Sequence, residues 1–576
     1  LKTPLDYKAE GSFEVSQENK NFPADDAALK DYWTRWTRYQ VVDRLYRKQK
    51  QQEELKKGKD SAGIIKIVPF DTLELKARNE TKTFVENWFK RWRKMDRQDK
   101  VAFYANTIAE IYDPHTNYFP PADKENFDIS MTGKLEGIGA TLTERDGYVK
   151  VERIVPGSAS YKQGELKAGD LILKVAQGEE EPVDIVDMKL DDAIQLIRGK
   201  KGTEVRLTVK KPDGVIKVIP IIREVVVIEE TYARSALITY KGKRFGIIQL
   251  PSFYADFSSR GRGRNSAGDV RLEIEKLQEE KVNGIILDLR NNGGGSLADA
   301  IEMSGLFIAS GPIVQVKDSE GNINAANDFN PTTLYDGPLV VLTNAYSASA
   351  SEILAAALQD YKRAIILGSK STFGKGTVQT MVALNGGRTD VFPRGFGELK
   401  VTIQKFYRIN GGTTQLKGVE PDVVVPDIYD GVERGEKEMN YHLAYDQIPS
   451  ARYKSYESKA YREAIKSGQK WVSSNKYFDL VAERSGQIEK IRKGMNYSLN
   501  LEAYALQQEA LEKNDEKFRK YEYKRSYDTV FALKRDLQEV QNDSIKRIQR
   551  SNWPKSYLKD ATLDAALEIL QCWSGK

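Results

Sequence analysis

With 576 residues, 40% of them hydrophobic and 30% charged, the chain carries enough apolar material for about three to five soluble domains. Its formal net charge of +6 is spread over 89 basic and 83 acidic residues, which excludes the concentrated basic surface of a nucleic-acid-binding protein. The single cysteine, Cys572, rules out an internal disulfide and a thiolate metal cluster. The two histidines, His115 and His442, leave any Ser-His or Cys-His enzyme only two bases to choose from.

No apolar run approaches the ~20 residues that span a bilayer, so no transmembrane segment is expected. The chain begins at Leu1 rather than Met and is expected to be processed or trimmed there. The lack of a visible signal peptide therefore says nothing about export.

Residues 1–124 read as a helical region. From Asp25 to Asp113, apolar and aromatic residues recur at helical spacing, as in Tyr32, Trp36, Tyr39, Val42 and Leu45. The charged stretch Lys48–Lys59 reads as a solvated helix end and linker. The prolines of Asp113-Pro-His-Thr-Asn-Tyr-Phe-Pro-Pro121 break the helix.

Residues 125–223 change to short β runs between glycines, with strands expected at Gly139–Thr143, Tyr148–Ile154, Leu171–Val175 and Val205–Lys210. A helix over Asp191–Ile197 is expected to end on Gly199 as a glycine cap. Residues 224–428 alternate strands (Phe245–Leu250, Gly284–Leu289, Leu339–Thr343, Ala364–Leu367) with helices (Asp269–Glu280, Leu297–Ile308, Ser349–Gln359), the pattern of an α/β core with a largely parallel sheet. Residues 429–576, rich in Lys, Glu, Tyr and Leu, read as helical. The fold class is thus multidomain α+β.

The chemistry concentrates between Leu339 and Gln379. The apolar strand Leu339–Thr343 turns through Ser347-Ala-Ser-Ala-Ser351 into a helix. A serine at a strand-to-helix turn is exposed beside the free N–H groups of the first helical turn, which can hold an oxyanion. Ser349 followed by Glu352 is also a capping box, which by itself marks only a helix start. The residues alone do not choose among Ser347, Ser349 and Ser351.

A base is available in Lys375, within Thr372-Phe-Gly-Lys-Gly-Thr-Val-Gln379. Burial disfavours an ammonium, so a dry lysine can take a serine proton. If this segment is extended, Lys375, Thr377 and Gln379 share one face, and Gln379 can accept from the lysine nitrogen. Gly368-Ser-Lys-Ser-Thr-Phe-Gly-Lys375 is not a phosphate-binding loop: its spacing is one residue too long, and Gly376 stands where the Mg²⁺-binding hydroxyl belongs. No nucleotide is expected. Arg290-Asn-Asn-Gly-Gly-Gly295, between a strand and a helix, can aim backbone N–H groups at a reacting carbonyl or simply serve as a flexible turn.

Taken in order, Asp113-Pro-His-Thr116, Gly137-Ile-Gly-Ala140, Leu287-Asp-Leu-Arg-Asn-Asn-Gly-Gly-Gly295, Ser347-Ala-Ser-Ala-Ser-Glu352, Thr372–Gln379 and Gly418-Val-Glu-Pro-Asp422 resemble the tail-specific (C-terminal processing) proteases, in their long periplasmic bacterial form. The resemblance implies a Ser-Lys dyad in a crotonase-like core, with Ser349 as nucleophile, Lys375 as base and Gln379 as its partner. It implies an oxyanion hole from the N–H groups of Gly295 and Ala350. The Ser–Lys separation is one residue longer than is usual in the family, the extra residue falling in Gly368–Thr372. Asp360 also matches a family position and reads as structural. Residues 125–223 are similar to the family's PDZ domain, with Gly137, Ile138, Gly139 and Ala140 in place of the carboxylate-binding loop and the strand from Gly139 open to peptide addition.

The expectation is an ATP-independent serine endopeptidase that captures apolar C-terminal tails of protein substrates, with an adaptor protein as a further partner, no cofactor and no metal. Two other readings are a non-enzymatic PDZ scaffold and a crotonase-like acyl-CoA enzyme. The periplasmic location is implied by the resemblance alone.

Overall fold

The computed structural model describes residues 1–15, 22–57, 68–256, 263–384, 396–432, 434–494, 496–521, 523–528, 530–541 and 553–575. Gly58 and Lys59, at the end of the expected linker, lie outside the described residues. The chain divides into two compact units, one of Leu1–Asp99, Asp427–Val432 and Asp479–Glu522, the other of Lys100–Pro426, Glu433–Phe478 and Tyr523–Lys576. Among the described residues no helix is long and apolar enough to cross a membrane.

In the first unit, helices Asp26–Lys57 and Phe70–Arg93 pack together through Val41, Val42, Leu45, Leu73 and Ala77. Leu501 and Tyr504 of the helix Leu501–Lys520 complete this core. A buried Glu74–Arg78 pair sits within it; removing either partner would leave an unpaired buried charge.

The second unit is built on a seven-stranded sheet, in the order Val423–Val424, Ile365–Gly368, Leu339–Thr343, Ile285–Asp288, Lys243–Gln249, Arg234–Tyr240, Val530–Phe531. The first five run parallel and the last two join antiparallel. Helices Ser266–Glu279, Leu297–Gly305 and Ala350–Asp360 cover one face, through Ile274, Met303 and Leu354. Helices Lys459–Ser473 and Ala561–Trp573 cover the other, through Ala464, Leu567 and Leu570. Burial on both faces is why Leu339-Val-Val-Leu is an unbroken apolar run rather than an alternating one.

A second sheet, Ile323–Asp328, Gly311–Asp318, Glu398–Tyr407 and Thr377–Ala383, carries Asn117–Phe119 along the start of Glu398–Tyr407. A third sheet, Ala140–Arg145, Tyr148–Ile154, Leu171–Gln177, Glu204–Lys210 and Ile216–Ile222, encloses the small core of Ile138, Val149, Val151, Ile172, Leu207 and Ile219. The antiparallel ribbon of Lys134–Gly137 and Glu224–Val227 pairs the chain entering this sheet with the chain leaving it.

The structure differs from the sequence reading in three places. Residues from Glu125 do not begin a β stretch: Pro121–Thr132 is helical, started by Pro121 with its fixed φ and ended by Gly133 at φ 67°. Gly199 does not cap the helix Leu190–Ile197 in a left-handed turn. Arg198 ends that helix in an extended conformation, and Gly199 is needed because a Cβ there would stand 2.9 Å from the Arg223 guanidinium. In the C-terminal stretch expected to be helical, Tyr441–Glu457 contains no helix.

Candidate active site

Ser349 sits at the turn between the strand Leu339–Thr343 and the helix Ala350–Asp360, with φ 56° and ψ −114°. A non-glycine residue in this region costs about 1–3 kcal/mol and persists only where its surroundings enforce it. Such a turn lifts the side chain off the sheet, as in a nucleophile elbow. The neighbouring serines are otherwise engaged. Ser347 is fully buried and donates its hydroxyl to the Leu289 carbonyl at 2.8 Å, and buried Ser351 donates to the Asn292 carbonyl at 2.9 Å. Of the three, Ser349 is the one that lines a cavity of about 760 Å³.

The same cavity is lined by Lys375, Gln379, Ala350 and Gly293–Gly295, with apolar walls that include Phe127, Met131, Ile353 and Phe406. Lys375 Nζ donates to Gln379 Oε1 at 2.5 Å. Burial, together with the nearby Lys400 ammonium, brings the Lys375 pKa down to about 8. About a tenth of Lys375 is then neutral at pH 7, against about one part in 3,000 for an ordinary lysine, and that form can act as a base. His115 and His442 do not line the cavity.

Glu352, fully buried, joins the two halves of the site. Its Oε1 accepts from the Thr372 hydroxyl at 2.6 Å and the Gly374 N–H at 2.7 Å. Its Oε2 accepts from the Ser349 N–H at 2.7 Å and the Lys375 N–H at 3.0 Å. Burial nevertheless pushes its carboxyl up to about 7 against those four bonds. The sequence identified Glu352 as half of a capping box; its hold on the lysine loop depends on a contact that sequence spacing does not show.

The glycine loop passes directly over Ser349. A Cβ on Gly294 would lie 2.8 Å from Ser349 Cβ and 3.1 Å from the Ala350 nitrogen, and one on Gly295 would lie 2.2 Å from the Phe253 carbonyl oxygen. The Gly294 N–H is taken by Asn292 Oδ1 at 2.9 Å. Asn292 Nδ2 also donates to the Leu250 carbonyl, and the Asn292 main-chain carbonyl accepts from the Ala348 N–H, so this residue, whose part sequence reasoning missed, orders the loop with its side chain and ties it to the elbow with its backbone. Ala350 is the first residue of its helix, where an N–H has no intrahelical acceptor. The base of the loop is held by Arg290, which pairs with both Asp288 and Asp560 at 2.7 Å. Asp360, at the other end of the elbow helix, is paired with Arg408.

Gly137, Ile138, Gly139 and Ala140 lie together elsewhere in this unit. Gly137 ends one strand and Ala140 begins another, at the edge of its sheet. Gly139, at φ 74°, packs so closely on Ser158 that a Cβ would stand 2.1 Å from Ser158 Cβ. An edge strand after a tight glycine turn can accept a further strand.

Four family profiles match the chain: "Peptidase family S41" over residues 244–425, "Tail specific protease N-terminal domain" over 1–122, "PDZ domain" over 127–210 and "C-terminal domain of tail specific protease" over 429–572. The chain is 37% identical over 449 residues to a tail-specific protease of Haemophilus influenzae, covering 78% of this chain and 60% of that one. It is 32% identical over 357 residues to a carboxyl-terminal-processing protease of Picosynechococcus, covering 61% of this chain and 80% of that one. Among solved structures it is similar to a photosystem II D1 C-terminal processing protease, at 27% identity and a TM-score of 0.33 over 57% of this chain and 82% of that one. The chain thus spans less than two thirds of the length of the Haemophilus relative.

Proposed function

This chain belongs to the tail-specific, or carboxyl-terminal-processing, protease family, and we propose that it is an ATP-independent serine endopeptidase acting through Ser349 and Lys375. One observation carries this reading: strained Ser349 and a lysine brought down to about 8 line the same cavity.

Neutral Lys375 takes the proton of the Ser349 hydroxyl as its oxygen attacks the scissile carbonyl. The N–H groups of Gly295 and Ala350 hold the oxyanion; the neighbouring Gly294 N–H is already committed to Asn292. Lys375 then protonates the leaving amine, and water releases the acyl group from Ser349. Gln379 accepts one N–H of the lysine and fixes its direction.

The proposed division is a helical region to residue 124, a PDZ domain over 125–223, the Ser-Lys protease core over 224–428 and a C-terminal region over 429–576. Gly137–Ala140 and the edge strand after it receive the apolar C-terminus of a protein substrate. The proposed location is the periplasm.

The test is cleavage of an unstructured protein ending in apolar residues, without ATP or metal, by wild type and Ser349→Ala. Cleavage that requires both the apolar tail and Ser349 supports the reading. Cleavage that survives Ser349→Ala, or that ignores replacement of the tail by charged residues, counts against it.

A further inference from the structure

Lys375 is joined by a chain of hydrogen bonds to the carboxylate of Asp113, the acid of the Asp113-Pro-His-Thr116 segment. Lys375 Nζ donates to Gln379 Oε1 at 2.5 Å, Gln379 Nε2 donates to Thr402 Oγ1 at 3.0 Å, and Thr402 Oγ1 donates to Asp113 Oδ1 at 2.8 Å. Asp113 is buried and firmly held: it also accepts from the N–H groups of His115 and Thr116 and from the Thr116 hydroxyl. The chain then enters Asn117–Phe119, which pairs with Lys400–Glu398, and the Thr402 N–H closes onto Thr116 Oγ1 at 3.2 Å.

The polarity of this chain is set from its acidic end. A carboxylate only accepts, so the single hydroxyl proton of Thr402 is committed to Asp113, and Thr402 Oγ1 must accept from its other neighbour. Only the nitrogen of the Gln379 amide can supply that hydrogen, and its second hydrogen goes to Thr377 Oγ1 at 2.8 Å. The amide oxygen is thereby turned toward Lys375. With this orientation a neutral lysine amine donates one hydrogen to Gln379 and keeps its lone pair free. With the amide reversed, Gln379 Nε2 would donate into that lone pair and occupy the site that must receive the serine proton.

We propose that Asp113 is a positioning residue for the reaction: acting through Thr402, it fixes which end of the Gln379 amide faces Lys375 and so keeps the lysine lone pair available to Ser349. The proposal rests on the Ser349–Lys375 reading above. Lys400, Glu436, Glu352 and Asp113 are the charges that weigh most on Lys375, and the three acids among them favour the ammonium. Removing the Asp113 charge therefore moves the alkaline midpoint of kcat downward, whereas breaking the chain at Thr402 leaves that charge in place.

The experiment compares kcat, KM and the pH profile of the full chain as wild type, Asp113→Asn, Thr402→Val, Thr402→Ser, Asp113→Asn/Thr402→Val and Lys375→Ala. Thr402→Val and Asp113→Asn are expected to lower kcat about 10- to 100-fold, the scale of losing orientation at a reacting group, with KM nearly unchanged. The double variant is no worse than the poorer single one, because both cut the same chain. Thr402→Ser, which keeps the hydroxyl, restores kcat, and the midpoint falls in Asp113→Asn but not in Thr402→Val. If Asp113→Asn does not fold, the Thr402→Val and Thr402→Ser pair decides alone. Unchanged kcat in Thr402→Val, or no recovery in Thr402→Ser, overturns the proposal. Full activity in Lys375→Ala would instead overturn the underlying dyad.

Discussion

Ser349 and Lys375 hang from one oxygen atom: the backbone N–H of each donates to Glu352 Oε2, at 2.7 and 3.0 Å. The elbow and the lysine loop, which are separate stretches of chain, are thereby held at a fixed spacing by a buried carboxylate.

Glu352→Gln replaces one acceptor oxygen by an NH₂ group facing existing donors. At least one buried N–H or hydroxyl loses its acceptor, at a cost of about 1–3 kcal/mol. Denaturant unfolding is expected to show that loss, and cleavage is expected to fall with it because the two loops separate.

Activity is expected to rise with pH through a midpoint of about 8, since in the proposed reaction the neutral form of Lys375 is the base. Lys400→Met removes the neighbouring positive charge, so the midpoint should move up. The stability linkage has the matching sign. The folded state disfavours the Lys375 ammonium, so this residue costs stability below its folded pKa of about 8, and the cost fades as the pH rises toward the unfolded value. Lys375→Met should therefore be inactive yet more stable than wild type at pH 7, with the difference shrinking by pH 10. Unfolding curves at the two pH values check this.

Ser349 holds a backbone conformation that glycine adopts freely. Ser349→Gly and Ser349→Ala should both be inactive, with the glycine variant more stable by about 1 kcal/mol because only it relieves the strain. Equal stabilities would mean that the turn is not strained.

At the edge-strand loop, Gly139→Ala forces a Cβ against Ser158, and a residue at φ 74° is strained in any case. Affinity for a peptide with an apolar C-terminus is expected to fall by about tenfold or more, a change of about 1.4 kcal/mol, by fluorescence anisotropy.

What the sequence showed and what it hid follow from range. The strand Leu339–Thr343 was legible to the residue because burial on both faces makes it wholly apolar. The elbow was legible because strand, serine and helix follow one another directly. Asp113 and Thr402 are 289 residues apart, and the pairing of Asn117–Phe119 with Glu398–Lys400 brings them together. Nor does helical periodicity reveal that Lys459–Ser473 and Ala561–Trp573 cover the second face of the central sheet. The choice among Ser347, Ser349 and Ser351, open in the residues themselves, turns on burial and on the two carbonyls that claim the outer serines.

In the proposed reaction Ser349, activated by Lys375, carries the acyl group. The most direct measurement is mass spectrometry of enzyme quenched in acid during turnover of an unstructured polypeptide with an apolar C-terminus. A mass increment on wild type that maps to Ser349, and that is absent from Ser349→Ala and Lys375→Ala, is expected. An increment on Ser347 or Ser351, or its full retention in Lys375→Ala, would contradict it.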